Sequence, residues 1–87
     1  MWNYRLCKST YCSEYQGKHY EDITYDIREA YYNMNGEIYA VTEDAVGIVG
    51  EDPDSAKQCL AMMRTAFEKE VIDLDNFVFA QADHKLV

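Results

Sequence analysis

The sequence predicts an α+β domain: a three-stranded antiparallel sheet, with material for a short fourth strand, and one helix packed on one face. Three observations carry this expectation. Apolar and polar residues alternate along "WNYRLCK" and again along "EIYAVTE", the period-2 signature of half-buried strands. The dipeptide Asn35-Gly36 ends a second strand-like run with residues that tolerate positive φ, as a hairpin requires. From Pro53 onward apolar residues recur every three or four positions, the period of an amphipathic helix. At 87 residues there is room for one domain, 1–87, with one small core and a stability of roughly 4 to 13 kcal/mol.

The first strand is expected at 2–8, where Trp2, Tyr4 and Leu6 share one side and Asn3, Arg5 and Cys7 the other. The polar stretch "STYCSEYQGK" reads as a connection to a second strand at 19–32. There Ile23, Tyr25 and Ile27 share a face until Glu29 and the adjacent Tyr31 and Tyr32 break the phase, which predicts a bulge near 29–31. After Asn35-Gly36 the third strand resumes at 37–43. Asp52 is a good N-cap with Pro53 at the first helical position, so a helix is expected at 53–69, its stripe of Ala56, Cys59, Leu60, Met63 and Phe67 covering the sheet. The run "VIDLDNFVFAQ" supplies a candidate edge strand at 76–81, and "ADHKLV" is expected to fray. A sheet covered on one side leaves its other face for a partner.

Sixteen acidic against eight basic residues give a formal charge of -8, which repels nucleic-acid phosphates and anionic lipid within about one Debye length, ~8 Å. Direct nucleic-acid binding is therefore not expected, and a basic protein partner is. No apolar run approaches the ~20 residues of a membrane span, and the N-terminal decapeptide lacks signal-peptide character, so the expected location is cytoplasmic. In that compartment Cys7, Cys12 and Cys59 are expected as free, unmetallated thiols, with Cys59 in the core.

No catalytic residue, metal or cofactor is expected from the motifs. The acidic stretch "TEDAVGIVGEDPDSA" lacks the EF-hand spacing that calcium needs, and Asp52 and Asp54 suit the positive end of a helix instead. Zinc would need Cys7 and Cys12 with His19 or His84, at a Cys-x4-Cys spacing unlike the usual knuckles. Cys12 has only Lys8, Lys18 and His19 nearby to activate it as a nucleophile. The carboxylate pairs Glu21/Asp22 and Asp73/Asp75 read as solvated faces. What stands out is the span from 29 to 56, which has seven carboxylates, three tyrosines and no basic residue. Glu29, Tyr31, Tyr32, Glu37, Tyr39, Glu43 and Asp44 are the expected partner-binding residues: carboxylates in place of phosphates, tyrosines as rigid anchors.

The segments "WNYR", "ITYDIREAYYNMNGEIYAVTE" and "GEDPDSAKQCLAMMRTAFEKEVID" resemble small strand-strand-strand-helix proteins of phages and mobile elements. In size and acidity the chain is also similar to anti-CRISPR proteins. That likeness implies an inhibitor that binds a basic nucleic-acid-binding protein or CRISPR effector complex and blocks nucleic-acid access. The run of Gly50, Asp52, Asp54, Ala56 and Leu60 resembles the strand-to-helix passage of HicB-type antitoxins, which would imply neutralisation of a small ribonuclease, although that family's proline-acidic segment and C-terminal DNA-binding domain have no counterpart here. A structural or interaction subunit, and a metal-dependent or thiol enzyme, are the remaining alternatives. An exposed edge strand would also allow a homodimer.

Overall fold

The computed structural model describes residues 1–83. Two long strands, β1 (Trp2–Tyr15) and β2 (Lys18–Tyr32), pair antiparallel along their whole length, from Trp2 opposite Tyr31 to Tyr15 opposite Lys18. The segment expected to be a connection is thus strand. Gln16 and Gly17 alone turn the chain, with φ of 52° and 77°, the left-handed pair that matches the twist of a two-residue hairpin. A second turn over 33–37, with Gly36 at φ 78° and the Asn33 carboxamide oxygen accepting the amides of Asn35 and Glu37, leads into β3 (Ile38–Val41). Tyr31 pairs with Ala40 and Tyr32 with Ile38, so the register shift falls between the two tyrosines and the extra residue is Tyr39 on β3.

The chain then passes through Gly47 and Gly50 to α1 (Pro53–Arg64), which continues as a turn of 3-10 helix over Thr65–Glu68. Asp52 caps α1 reciprocally: Oδ1 accepts the Ser55 amide at 2.8 Å, and Ser55 Oγ accepts the Asp52 amide at 3.2 Å. The fourth strand, β4 (Ile72–Asp73), lies beside Cys7 and Lys8 and runs parallel to β1, whereas the stretch 76–81 forms no strand. The sheet is therefore mixed, in the order β3-β2-β1-β4, within an α+β fold. A parallel partner for β1 requires a crossover, and the helix provides it.

The pairing register assigns each side chain to a face. Trp2, Tyr4 and Leu6 share one face with Tyr31, Glu29 and Ile27. Asn3, Arg5 and Cys7 share the other with Ala30, Arg28 and Asp26. The helix sits on the first face, where the Tyr4 hydroxyl lies 3.9 Å from Cys59 Sγ and burial of the phenol raises its pKa. Its buried face is centred on Met63, with Ala66 following in the 3-10 turn, while Leu60 and Phe67 of the expected stripe face solvent. Contact with β1 includes the 3-10 turn, and this rotates the buried stripe away from the one read from α1 alone. The most buried cluster, Cys7, Ala30 and Ile72, lies on the opposite face, under Tyr32, Ile38, Val41, Leu74 and Phe77. Both faces of the sheet are thus covered at this end, in place of the single covered face expected.

Flanking strands support only part of the hairpin. On the β1 side the Leu74 amide donates to the Lys8 carbonyl and Asp75 holds the amide and hydroxyl of Thr10. On the β2 side the amides of Thr42 and Val46 donate to the carbonyls of Glu29 and Ile27. Past Thr10 and Ile27 the two strands continue as a ribbon that no other strand flanks among the described residues. Fifteen residues of strand span about 50 Å, in line with the longest extent of 48 Å. The radius of gyration, 16.1 Å, exceeds the ~12 Å of a compact chain this long because of this arm.

Candidate functional site

The expected partner-binding residues are spread around the body. Glu29 and Tyr31 lie half-buried on the helix side, whereas Tyr32 lies on the opposite face with its hydroxyl accepting from Arg5 Nη1 at 3.0 Å. Glu37 sits exposed in the turn, its carboxylate near Asn33 Nδ2. Glu43 and Asp44 are exposed just past β3. Tyr39 and Glu43 do come together, in an open cleft of about 500 Å³ completed by Arg28, Val41, Leu74 and Phe79. Arg28 anchors this cleft from below, through a two-pronged bond to Asp26 and through Nη1 to the carbonyls of Thr42 and Glu43. Hydrogen bonding to Asp26 raises its pKa, so the guanidinium is a fixed charge committed to the fold.

Such internal commitments leave the acidic surface uncompensated. Arg5 donates to Tyr32 and to the Glu70 carbonyl, and Lys8 is paired with Asp73 and Asp75 at 3.7 and 3.4 Å. Arg5, Lys8 and Arg28 are therefore turned toward the chain's own acceptors. Among the carboxylates of the acidic run, Asp52 is spent on the helix cap, where the Ser55 amide and hydroxyl hold its pKa below the usual carboxylate range. Glu37, Glu43 and Asp44 have no cation within ion-pair distance among the described residues.

The larger exposed surface is the arm. Tyr11, Tyr15 and Tyr20 project from one face of it, Tyr20 standing opposite Ser13 and between the other two, and each is about half exposed or more. Ile23 and Tyr25 project from the other face, also mostly exposed. The ribbon between Ser9 and Tyr25 carries Glu14, Glu21 and Asp22 against a single lysine, Lys18. The sequence does carry a signal for this arm: Tyr11, Ser13 and Tyr15 alternate with Cys12 and Glu14 right up to Gln16-Gly17. The polarity of both faces hid it, since the alternation is of aromatic with small or charged residues and not of buried with exposed.

The zinc arrangement weighed from spacing does not form within one strand, because Cys7 and Cys12 are five residues apart and project from opposite faces of β1. Cys7 is fully buried, and burial pushes its thiol pKa up. His84 lies outside the described residues. Instead, Cys12 comes together with His19 and Glu21 from the facing strand, their ligand atoms within 4.8 Å of one another.

No family model, no curated protein and no solved structure matches this chain. Among the described residues no helix is long and apolar enough to cross a membrane.

Proposed function

We propose that this chain is a non-catalytic inhibitor of the anti-CRISPR kind: a small acidic cytoplasmic protein that binds a basic surface of a nucleic-acid-binding effector and blocks nucleic-acid access. The observation that carries the reading is the arm. A two-stranded ribbon is marginal in water by itself, and this one displays Tyr11, Tyr15 and Tyr20 on one exposed face with an excess of carboxylates. A tyrosine offers a large contact area with only two side-chain torsions to immobilise, and surrounding carboxylates draw a basic groove toward it. Glu37, Glu43 and Asp44 extend the negative surface onto the body, with Tyr39 beside them.

The test is a target-DNA binding assay with purified CRISPR effector complexes of several types, run with and without the intact chain. Loss of DNA binding by one effector supports the reading, provided a Tyr11→Ser, Tyr15→Ser, Tyr20→Ser variant with an unchanged melting curve no longer inhibits. Full DNA binding by every effector at micromolar chain sinks it.

A second reading, a HicB-like antitoxin, is supported by the passage into α1. A side chain on Gly50 would sit 2.7 Å from the Ser55 carbonyl carbon, so this glycine is required where the antitoxin pattern has one. Inhibition of a small basic ribonuclease in place of a DNA-binding effector would favour that alternative.

A further inference from the structure

We propose that Cys12, His19 and Glu21 form a zinc site that clips the two strands of the arm together. The register makes Cys12 and Glu21 direct cross-strand neighbours, and Glu14 and His19 are the next pair along the same face. The Ile27 and Glu29 carbonyls point away from β1 to accept from Val46 and Thr42. Odd-numbered residues of β2 therefore turn their backbone groups outward and form the non-hydrogen-bonded pairs with β1. In such pairs the side chains approach most closely. Both the Cys12–Glu21 and Glu14–His19 pairs are of this kind, which is why atoms from three residues on two strands converge within 4.8 Å.

The donor set decides which ion fits. A thiolate, an imidazole and a carboxylate suit zinc, and magnesium or calcium would take oxygen ligands alone. Bonds of ~2.0 to 2.3 Å place tetrahedral ligands about 3.5 Å apart. All three side chains are exposed and can close the remaining ~1 Å by small rotations about their side-chain bonds. Glu14, across from His19 on the same face, or a water, completes four-coordination. On binding, the Cys12 thiol gives its proton to solvent, so affinity rises with pH. Because the ligands come from both strands, the ion would tie together a ribbon that, among the described residues, has no flanking strand at that level. Its effect would be felt as order in the arm and would leave the body unchanged.

The experiment is titration of the intact chain with zinc chloride, and with cobalt(II) as a spectroscopic substitute, under a non-chelating reductant. The expected result is saturable 1:1 binding, a cobalt–thiolate charge-transfer band, and slowed hydrogen exchange at amides of the arm with no change at those around Ile72. Cys12→Ser should abolish the band and weaken zinc binding by more than the ~10–100-fold typical of losing a supporting contact around a metal. His19→Ala should weaken binding comparably, and Cys59→Ser should change neither. Absence of saturable binding at micromolar zinc overturns the proposal, as does binding that survives Cys12→Ser or yields to Cys59→Ser. Inhibition of a nucleic-acid-binding effector is read separately, so this site can fail while the binding function stands, and the reverse.

Discussion

Arg28 and Asp26, two residues apart on one face of β2, form a two-pronged pair, with Nε 2.8 Å from Oδ1 and Nη2 3.2 Å from Oδ2. The remaining guanidinium nitrogen donates to the carbonyls of Thr42 and Glu43, so one buried side chain fastens the exit of β3 to the sheet. Removing it strands a half-buried carboxylate and two carbonyls at once. Arg28→Ala is expected to cost about 3 kcal/mol, and Arg28→Lys to recover only part of that because an ammonium cannot make the fork. Urea unfolding measures both. A loss under about 1 kcal/mol for Arg28→Ala would show that the pair is solvated and the exit of β3 is held by other contacts.

The helix offers a sharper comparison. Met63 is 6% exposed and Leu60 45%, although both fall on the stripe read from the sequence. Met63→Ala should therefore cost about 2–5 kcal/mol. Leu60→Ala should stay within about 0.5 kcal/mol of the parent, as surface changes do. Thermal melts of the two variants decide the matter, and equal losses would mean that the helix is rotated by part of a turn from the arrangement described.

That comparison shows where the sequence was legible. The type of each element in the body could be read because local chemistry dictates it: Asn35-Gly36 needs positive φ, and Asp52-Pro53 caps and starts a helix. The orientation of α1 could not, because Cys59, Leu60, Met63 and Phe67 are all acceptable buried residues. The choice among them goes with the 3-10 turn, which buries Ala66 completely and leaves Phe67 65% exposed. β4 forms at Ile72–Asp73 instead of 76–81 for a similar reason. "NFVFA" has more strand character than Ile72-Asp73, yet Asp75 binding Thr10 and Leu74 binding Lys8 set the parallel register. Of the seven residues expected to bind a partner, the structure gathers Tyr39 and Glu43 in one cleft and sends Tyr31 and Tyr32 to opposite faces, a division that follows from strand alternation alone.

Gly50 is the tightest backbone approach among the glycines. Its φ is ordinary, so the requirement is for space: a methyl there would collide with the backbone of Ser55 and Ala56 at the first turn of α1. Gly50→Ala should destabilise by about 1–3 kcal/mol through displacement of the helix start. Gly47→Ala, which meets nothing within 4 Å, serves as the control and should be near neutral. Similar stabilities for the two variants would place the helix start further from Gly50.

Asp75 links the acid sensitivity of the fold to one contact. The Thr10 hydroxyl and amide, with Lys8 nearby, hold its pKa below the usual carboxylate range. A carboxylate depressed in the folded state adds stability that is present above its ordinary pKa of ~3.9 and is lost as pH falls through the folded value. Asp75→Asn keeps an acceptor for Thr10 but no longer titrates. Its stability should therefore change less than the parent's between about pH 4 and pH 2, measured as urea midpoints. Parallel curves for variant and parent would mean that the Asp75–Thr10 contact is absent in solution.

The arm makes the last prediction. Gln16 holds φ 52°, a left-handed conformation that costs an ordinary side chain ~1–2 kcal/mol and that asparagine adopts more readily. Gln16→Asn creates Asn-Gly, the favoured pair for such a turn, and should stabilise the arm by about 0.5–1 kcal/mol. Gly17→Ala, at φ 77°, should loosen it instead. Because among the described residues no flanking strand supports residues 11–26, neither change should alter the unfolding of the body around Cys7, Ala30 and Ile72. Hydrogen exchange resolved by residue separates the two regions: amides near the turn should slow in the first variant and quicken in the second. Exchange in the arm as slow as in the core, and indifferent to both substitutions, would mean that the ribbon is braced by contacts beyond its own two strands, as self-association through the open edge of β2 would provide. Dependence on protein concentration would then expose that association.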